Sequence, residues 1–331
     1  MTSHLKEHVE IDLARMNFNN APWFIYTSMI LVWSIVTFWI LGPETFPDYV
    51  HYVGAASYGY QSFFEFVPQY FLVSVDLFDN PKDRVQFYFF LVHVVTVFLF
   101  CMITMLSPKA SFMQALYYSY YLPFFMTTAL RASLAYLIAG VLLPIMLASG
   151  RRFLALFCGV IACFFHDSGV YALVVMLLIY VSSYVDLYNY KGHIKKGVTL
   201  CFFASVTWTT IILDVELFPD IGRFLDYING SLNSYPKLLY LYFHIFGIFI
   251  LLRKCVFDPD LELYFLIGAL VISIVALINH VAAIRLLPFI MGAGFLMLGD
   301  GLRVAFGRQI FVLIPFMLAY FYFNFAILLR S

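Results

Sequence analysis

Charged residues are scarce in this chain. Only 11% of its 331 residues are Asp, Glu, Lys or Arg, whereas 63% are apolar and 20% are aromatic. Soluble domains contain about 25% charged and about 45–50% apolar residues. A water-soluble fold of this composition would expose much of its apolar surface to solvent. The composition therefore excludes an ordinary soluble domain and favours a lipid bilayer as the surrounding medium.

The chain also lacks net charge and the common catalytic and metal-binding motifs. Its 19 basic residues balance 19 acidic ones, so the positive footprint of a nucleic-acid-binding protein is missing. The five cysteines show no CxxC spacing, and HExxH, P-loop and GxSxG motifs are absent. We therefore expect no metal, no bound cofactor and no nucleic-acid partner.

Long apolar runs recur along the chain, with lengths near the roughly 20 residues that a helix needs to cross a membrane. Backbone groups in lipid must be paired internally, and unbroken runs without alternation favour helices over a barrel. The sequence thus predicts an all-α polytopic membrane protein with about eleven transmembrane helices, forming one transmembrane domain over residues 1–331 without a separate soluble domain. The predicted spans are 22–41, 85–106, 112–129, 131–148, 153–165, 169–185, 197–213, 237–252, 261–278, 283–299 and 309–328.

Residues 63–79 are apolar too, but Glu65, Pro68 and Asp76 interrupt the run. We interpret this stretch as a re-entrant or interfacial helix in the first outer loop. A cytoplasmic N-terminus assigns twelve Lys and Arg residues to the cytoplasm and seven to the outside, which follows the positive-inside rule. The basic segments at 151–152 and 191–196 then belong to cytoplasmic loops.

Ionisable residues at the outer ends of the predicted spans are the candidates for chemistry, because charge there is costly and often functional. The guanidinium forks of Arg131 and Arg285 suit a diphosphate, although an Arg at a span end also commonly reaches the headgroups. His166 can accept a proton from a hydroxyl, or can simply hydrogen-bond a neighbouring helix. Asp167 is an alternative base, and His280 shares an outer turn with Arg285.

The first outer loop contains a carboxylate among aromatic residues. Asp48 is followed by Tyr49, His51 and Tyr52. Carboxylates and flat rings suit sugar binding, whereas the competing interpretation is an ordinary interfacial aromatic belt. Arg223, in another outer loop, would meet a lipid diphosphate or pair with a neighbouring aspartate.

Three segments resemble the EpsG/Wzy type of bacterial polysaccharide polymerase. They are "PDYVHY" at 47–52, "ALRASLAYLIAGVLLP" at 129–144 with "GRRFLALFCGVIACFFHDSGVYAL" at 150–173, and "IRLLPFI" at 284–290. In that family an Arg opens a central span, the next span ends in Phe-His, and an Arg leads a C-terminal span.

The resemblance implies a GT-C-like, metal-independent glycosyltransferase. It would join undecaprenyl-diphosphate-linked oligosaccharide repeat units at the outer, periplasmic face of the bacterial inner (plasma) membrane. Its partners would be these lipid-linked substrates and membrane lipids, and the family also allows a chain-length regulator. The implied roles are catalysis by His166, Asp167 or Asp48, diphosphate binding by Arg131, Arg285 and Arg223, and sugar binding by Tyr49, Tyr52, His51 and His280.

Three other functions remain open at the level of sequence. A transporter or flippase of a lipid-linked sugar would use the same arginines, but such proteins usually contain internal repeats, and none is visible. A sugar O-acyltransferase has a similar length and span number. An O-antigen ligase uses the same donor as a polymerase with a different acceptor.

Overall fold

The computed structural model describes residues 49–59, 66–74, 78–105, 130–185, 187–214, 258–278 and 280–304, with isolated positions between 28 and 44 and between 114 and 121. Every element within these ranges is helical. In chain order the helices are α1 (Tyr49–Tyr58), α2 (Phe66–Gln69, continued by a π turn over Tyr70–Ser74), α3 (Pro81–Thr104), α4 (Leu130–Leu137, a π turn over Ile138–Leu142, then Leu143–Ala148), α5 (Arg152–Phe165), α6 (Gly169–Val185), α7 (Lys191–Asp214, after a 3₁₀ turn over Leu187–Tyr190), α8 (Pro259–Ile278) and α9 (His280–Val304).

Helices α3 to α9 coincide with seven of the predicted spans, and their ends differ from the predicted ends by six residues at most. The spans predicted at 22–41, 112–129, 237–252 and 309–328 fall largely or wholly outside the described residues. The all-α prediction therefore holds for the part of the chain that the structure describes. The number of membrane crossings stays a prediction.

The main core forms where α4, α5 and α6 pack around α8 and α9. Tyr264, Phe265 and Phe289 are fully buried there. Alanines and glycines fill the spaces between these rings, and small residues allow helices to approach closely in a membrane, where association depends on packing.

Helices α4 and α9 cross at two glycines. A Cβ at Gly292 would overlap the carbonyl oxygen of Gly140, and a Cβ at Gly140 would collide with the Tyr117 hydroxyl and the carbonyl oxygen of Pro288. Both helices are irregular at the crossing, because α4 is π-helical over Ile138–Leu142 and α9 contains Pro288. Such features bend helices. The crossing therefore brings two irregular helices together at the distance of backbone contact.

The outward faces of several helices are apolar. The exposed large side chains on α3, α5 and α6 include Phe90, Phe98, Phe153, Phe157 and Leu177. Soluble monomers rarely expose contiguous apolar patches larger than about a few hundred Å². Two helices, Pro81–Thr104 and Pro259–Leu277, are long and apolar enough to cross a membrane. These features support a membrane location for this all-α protein.

One end of the helix bundle is tied together by ion pairs, and we name it the basic end. Arg152, at the start of α5, donates two hydrogen bonds to Asp260 at the start of α8, with Nε–Oδ2 at 2.5 Å and Nη2–Oδ1 at 2.8 Å. Lys191 and Lys195 of α7 reach Glu262 with N–O distances of 2.6 and 3.2 Å. The first turns of α5, α7 and α8 therefore meet at this end.

Helices α1 and α2 pack against the first half of α3. Arg84 donates through Nη1 to the carbonyl oxygens of Leu72 and Val73, at 3.5 and 3.4 Å, and so ties the π turn of α2 to the first turn of α3. Within the predicted interfacial stretch, the described helix has a four-residue and a five-residue part.

Candidate functional site

The candidate site lies at the end of the bundle opposite the basic end. Helix α5 begins at the basic end and finishes at Phe165, so His166 lies at the other end. Helix α8 also begins at the basic end, and α9 starts two residues after α8 finishes. The end of α5 and the start of α9 therefore share one end of the bundle, which we name the His166 end.

A tight turn connects α5 to α6 at His166. His166 adopts an extended backbone conformation that ends α5, while its N–H still bonds the Ala162 carbonyl oxygen at 3.1 Å. The N–H of Gly169 returns to the His166 carbonyl oxygen at 2.8 Å. A Cβ at Gly169 would collide with the backbone of Ala162. Glycine at this position thus lets α6 start directly against α5 and fixes the backbone from which His166 projects.

The half-buried imidazole of His166 is held by Ser168 and Tyr136. Its Nδ1 lies 2.6 Å from Ser168 Oγ, and the Ser168 backbone N–H approaches the same Nδ1 at 3.1 Å. The Tyr136 ring stacks on the imidazole, with centroids 6.5 Å apart and planes 27° apart. This offset arrangement lies within the usual range for aromatic pairs. The imidazole orientation is therefore restrained from two sides.

Tyr136 connects three segments of the chain. Its buried hydroxyl, on α4, donates to the carbonyl oxygen of Arg285 on α9 at 2.8 Å. The same hydroxyl is hydrogen-bonded to the Ser168 side chain and interacts electrostatically with the Arg285 guanidinium. Tyr136 of α4 contacts Arg285 of α9. Later in both helices, Gly140 of α4 contacts Gly292 of α9. Helices α4 and α9 therefore run in the same direction, with their first turns at the His166 end.

Four of the sequence-predicted site residues begin or flank these elements. Asp167 lies in the turn between α5 and α6, Arg285 is the sixth residue of α9, and both side chains are exposed. Arg131 is the second residue of α4 and precedes Tyr136 by five residues, about 7.5 Å of helix axis. His280 is the first residue of α9. The side chains of Arg131 and His280 lie outside the described residues, whereas their backbones belong to the His166 end.

The aromatic residues predicted to hold sugar have a packing role. Tyr49 and Tyr52 are buried, and both make edge-to-face contacts with Phe89, at centroid distances of 6.2 and 5.2 Å. Rings enclosed in this way do not offer a free face to a sugar. His51, on the opposite face of α1, is exposed. Asp48 and Arg223 lie outside the described residues.

The core around Tyr49 adjoins the candidate site. It includes Leu134 of α4, and Phe165, the residue before His166, packs against it. Burial and then the charge of Glu44 raise the pKa of Tyr49, so its hydroxyl stays neutral. Helix α1 is thus a structural support for the His166 end.

No group of three His, Cys, Asp or Glu side chains able to hold a metal occurs within the described parts of the chain. The residues that the structure does bring together are a histidine, a serine, a tyrosine and an arginine. This set can donate and accept hydrogen bonds and can attract an anion.

Sequence reasoning missed Tyr136 and Ser168. Ser168 follows His166 by two residues, a spacing at which a side chain can accept from a backbone N–H, as in Asx turns. Tyr136 gave no such signal, because its partner Arg285 is 149 residues away. Only the fold brings these two residues together.

No family model, no curated protein and no solved structure matches this chain.

Proposed function

We propose that this protein is a glycosyltransferase that polymerises lipid-diphosphate-linked oligosaccharide repeat units. Two observations support the proposal, the second of which builds on the first. One is the sequence resemblance to EpsG/Wzy-type polymerases. The other is that the described parts of the resembling segments meet at the His166 end: Tyr136 joins the His166 turn to the backbone of Arg285, and the core around Tyr49 includes Leu134 of α4. That convergence is the observation on which the proposal depends.

In the proposed reaction, a sugar hydroxyl of one lipid-linked repeat unit attacks the anomeric carbon of a chain held on a second lipid diphosphate. A new C–O bond forms, and the bond from the anomeric carbon to the phosphate oxygen breaks. Undecaprenyl diphosphate leaves with that electron pair, and the hydroxyl proton passes to a base, His166 or a carboxylate such as Asp167 or Asp48. No nucleotide sugar or other co-reactant is consumed.

The arginines would stabilise the departing charge. Fixed cations and donors aimed at developing charge usually make the largest electrostatic contribution to catalysis. Arg285 is exposed at the His166 end, and no carboxylate among the described residues pairs with it. Its guanidinium is thus available to a phosphate. Arg131 would supply a second cation from the first turn of α4, and Arg223 a third.

We further propose that the His166 end faces the outside of a bacterial plasma membrane. The support is the distribution of basic residues, because Arg151, Arg152, Lys191 and Lys195 belong to the opposite end. Cytoplasmic loops are enriched in Lys and Arg. About eleven crossings with a cytoplasmic N-terminus give this orientation.

The test is reconstitution. Purified full-length protein in detergent or liposomes is given an undecaprenyl-diphosphate-linked repeat unit, and products are separated by size. The expected result is a ladder with increments of one repeat unit and release of undecaprenyl diphosphate. A single transfer to lipid A core would indicate a ligase. Movement of intact substrate across liposomes without new glycosidic bonds would indicate a flippase, and either result would contradict the proposal.

A further inference from the structure

Two donors from Ser168 converge on one ring nitrogen of His166. The backbone N–H approaches Nδ1 at 3.1 Å, and the hydroxyl oxygen lies 2.6 Å from the same atom. A backbone N–H can only donate, so Nδ1 must present its lone pair to it. A neutral imidazole carries a single ring proton. That proton therefore belongs to Nε2.

From this geometry we propose that His166 acts as a hydrogen-bond donor through Nε2–H, and that Ser168 and Tyr136 are the positioning residues that fix this state. The identity of the acceptor, a phosphate oxygen of the leaving lipid diphosphate, rests on the proposed function. A neutral imidazole in this tautomer has its only lone pair engaged by Ser168. It is therefore poorly suited to take the hydroxyl proton.

In this step, one group stabilises the leaving phosphate oxygen and another accepts the hydroxyl proton. The anomeric C–O bond breaks with its electron pair on the phosphate oxygen, and Nε2–H donates a hydrogen bond to that oxygen without losing its proton. Hydrogen bonds to charged acceptors are shorter and stronger than neutral ones. The hydroxyl proton of the acceptor sugar goes to a carboxylate. Asp167, which follows His166 directly and is exposed, is the nearest candidate along the chain.

Tyr136 restrains the ring without competing for Nδ1. Its single hydroxyl proton is used at the Arg285 carbonyl oxygen, 2.8 Å away, so towards Ser168 the phenol oxygen can only accept. The Ser168 hydroxyl proton thus has two acceptors, Nδ1 and the Tyr136 oxygen, whereas the Ser168 backbone N–H donates to Nδ1 within the described part of the chain. Rotation of the serine hydroxyl leaves the Nε2–H tautomer in place, and the Tyr136 ring keeps the imidazole plane fixed.

The first experiment tests the tautomer without any need for activity. Full-length protein labelled with ¹⁵N-histidine is studied by NMR in micelles, and His166→Gln identifies the His166 signals among those of the eight histidines. At a pH where the ring is neutral, Nε2 is expected to carry the proton in the wild type and in Ser168→Ala. A proton on Nδ1 would overturn the inference and leave the proposed polymerase function standing.

The second experiment tests the acceptor, with farnesyl diphosphate as the probe and farnesol as the control without phosphate. The Nε2–H resonance is expected to shift with the diphosphate and not with farnesol. His166→Ala should weaken diphosphate binding about ten-fold, equivalent to about 1.4 kcal/mol. His166→Gln should weaken it less, because its amide N–H can occupy the place of Nε2–H. Equal shifts with both probes, or no shift with either, would contradict a phosphate acceptor.

The third experiment separates donation from base catalysis through kcat. A glutamine cannot accept the substrate proton, so a base at His166 predicts that His166→Gln is as inactive as His166→Ala. Donation predicts that His166→Gln retains at least ten-fold more kcat than His166→Ala. Ser168→Ala and Tyr136→Phe should each lower kcat about five-fold with little change in KM. Ser168→Thr, which keeps a hydroxyl, should retain the kcat of the wild type. Equal inactivity of both His166 variants would refute the donor role.

Discussion

Charged side chains form ion pairs at one end of the helix bundle, whereas an arginine is exposed at the other end. At the basic end, Arg152 makes a bidentate pair with Asp260, and Lys191 makes a close pair with Glu262. At the His166 end, the Arg285 side chain is exposed, and the part of the chain described here supplies no carboxylate to pair with it. The backbone carbonyl oxygen of Arg285 accepts the Tyr136 hydrogen bond that links α9 to α4 at this end.

The charged side chains at the basic end hold helices together, whereas the Arg285 guanidinium is exposed and can bind an anion. An ion pair between two helix starts satisfies both partners and leaves little attraction for a ligand. A guanidinium on a backbone that Tyr136 fixes is both positioned and available, which suits recognition of an anion. Neutral hydrogen bonds orient the His166 end, whereas ion pairs orient the basic end.

The largest expected effect comes from breaking the α4–α9 crossing that connects the two ends. Gly292→Ala should destabilise the fold by about 3 kcal/mol or more and abolish activity, because the new Cβ overlaps the Gly140 carbonyl oxygen and neither backbone can move away cheaply. The measurement is thermal unfolding in detergent, with size-exclusion chromatography of the purified protein.

Gly192→Ala is the matched control for that prediction. A Cβ at Gly192, on α7, meets no atom within 4 Å. Alanine in place of glycine in the middle of a helix is worth about 0.5–1 kcal/mol, and Gly192 lies in the first turn of α7, so this variant should be as stable as the wild type or slightly more stable. Equal stability losses in the two variants would mean that the crossing is looser than described.

The next largest effect is expected at Arg285. Arg285→Ala should lower kcat by about 10²–10³, the usual loss on removing one fixed donor from developing charge, while the melting temperature changes little because the side chain is exposed. Arg285→Lys should recover only part of the activity, since a single ammonium cannot reproduce the guanidinium fork. Rates of product-ladder formation at saturating substrate measure both.

Arg151→Ala controls for loss of a positive charge in general. Arg151 is an exposed arginine beside Arg152 at the basic end, and its removal should leave kcat unchanged. If Arg151→Ala and Arg285→Ala reduced activity alike, the distinction between the two ends would fail.

Within the described ranges, sequence reasoning located the helices well because long apolar runs leave a strong signal. The apolar runs predicted α3 to α9, and the start predicted for α5 differs by one residue from the observed Arg152. Helix α7 begins six residues before its predicted start, at Lys191, because the basic residues there form its first turns. Hydropathy alone excludes such residues, but within α7 they pair with Glu262 of α8.

The site was harder to predict because its geometry depends on contacts distant in sequence. Ionisable residues at span ends pointed to His166 and Arg285, and the fold brings their segments together. Sequence could not indicate that Tyr136 would join them. It also could not distinguish Tyr49 and Tyr52 as buried rings from the same residues as an exposed sugar platform, since both uses need the same side chains beside an apolar run.

A smaller effect, confined to stability, is expected at the basic end. Asp260→Asn should cost about 1.5–3 kcal/mol, the usual worth of hydrogen bonds to a charged group, because Arg152 loses its bidentate partner. Since the pair lies at the far end of α5 from His166, kcat should be unchanged below the melting temperature. Thermal unfolding and ladder formation at low temperature measure the two quantities. A large fall in kcat at full stability would show that the ends are coupled.

The smallest effect is expected from Tyr49→Phe, which tests whether helix α1 supports the site or binds sugar. The Tyr49 hydroxyl hydrogen-bonds Gln86, and its ring packs against Phe89. Phenylalanine keeps the ring and loses one neutral hydrogen bond, so the cost should be about 0.5–1.5 kcal/mol of stability. KM for the repeat unit should not change, because a buried hydroxyl that already has a protein partner does not reach substrate. A several-fold rise in KM at an unchanged melting temperature would instead assign the Tyr49 hydroxyl to sugar recognition. The boundary of the functional site would then extend from the His166 turn onto α1.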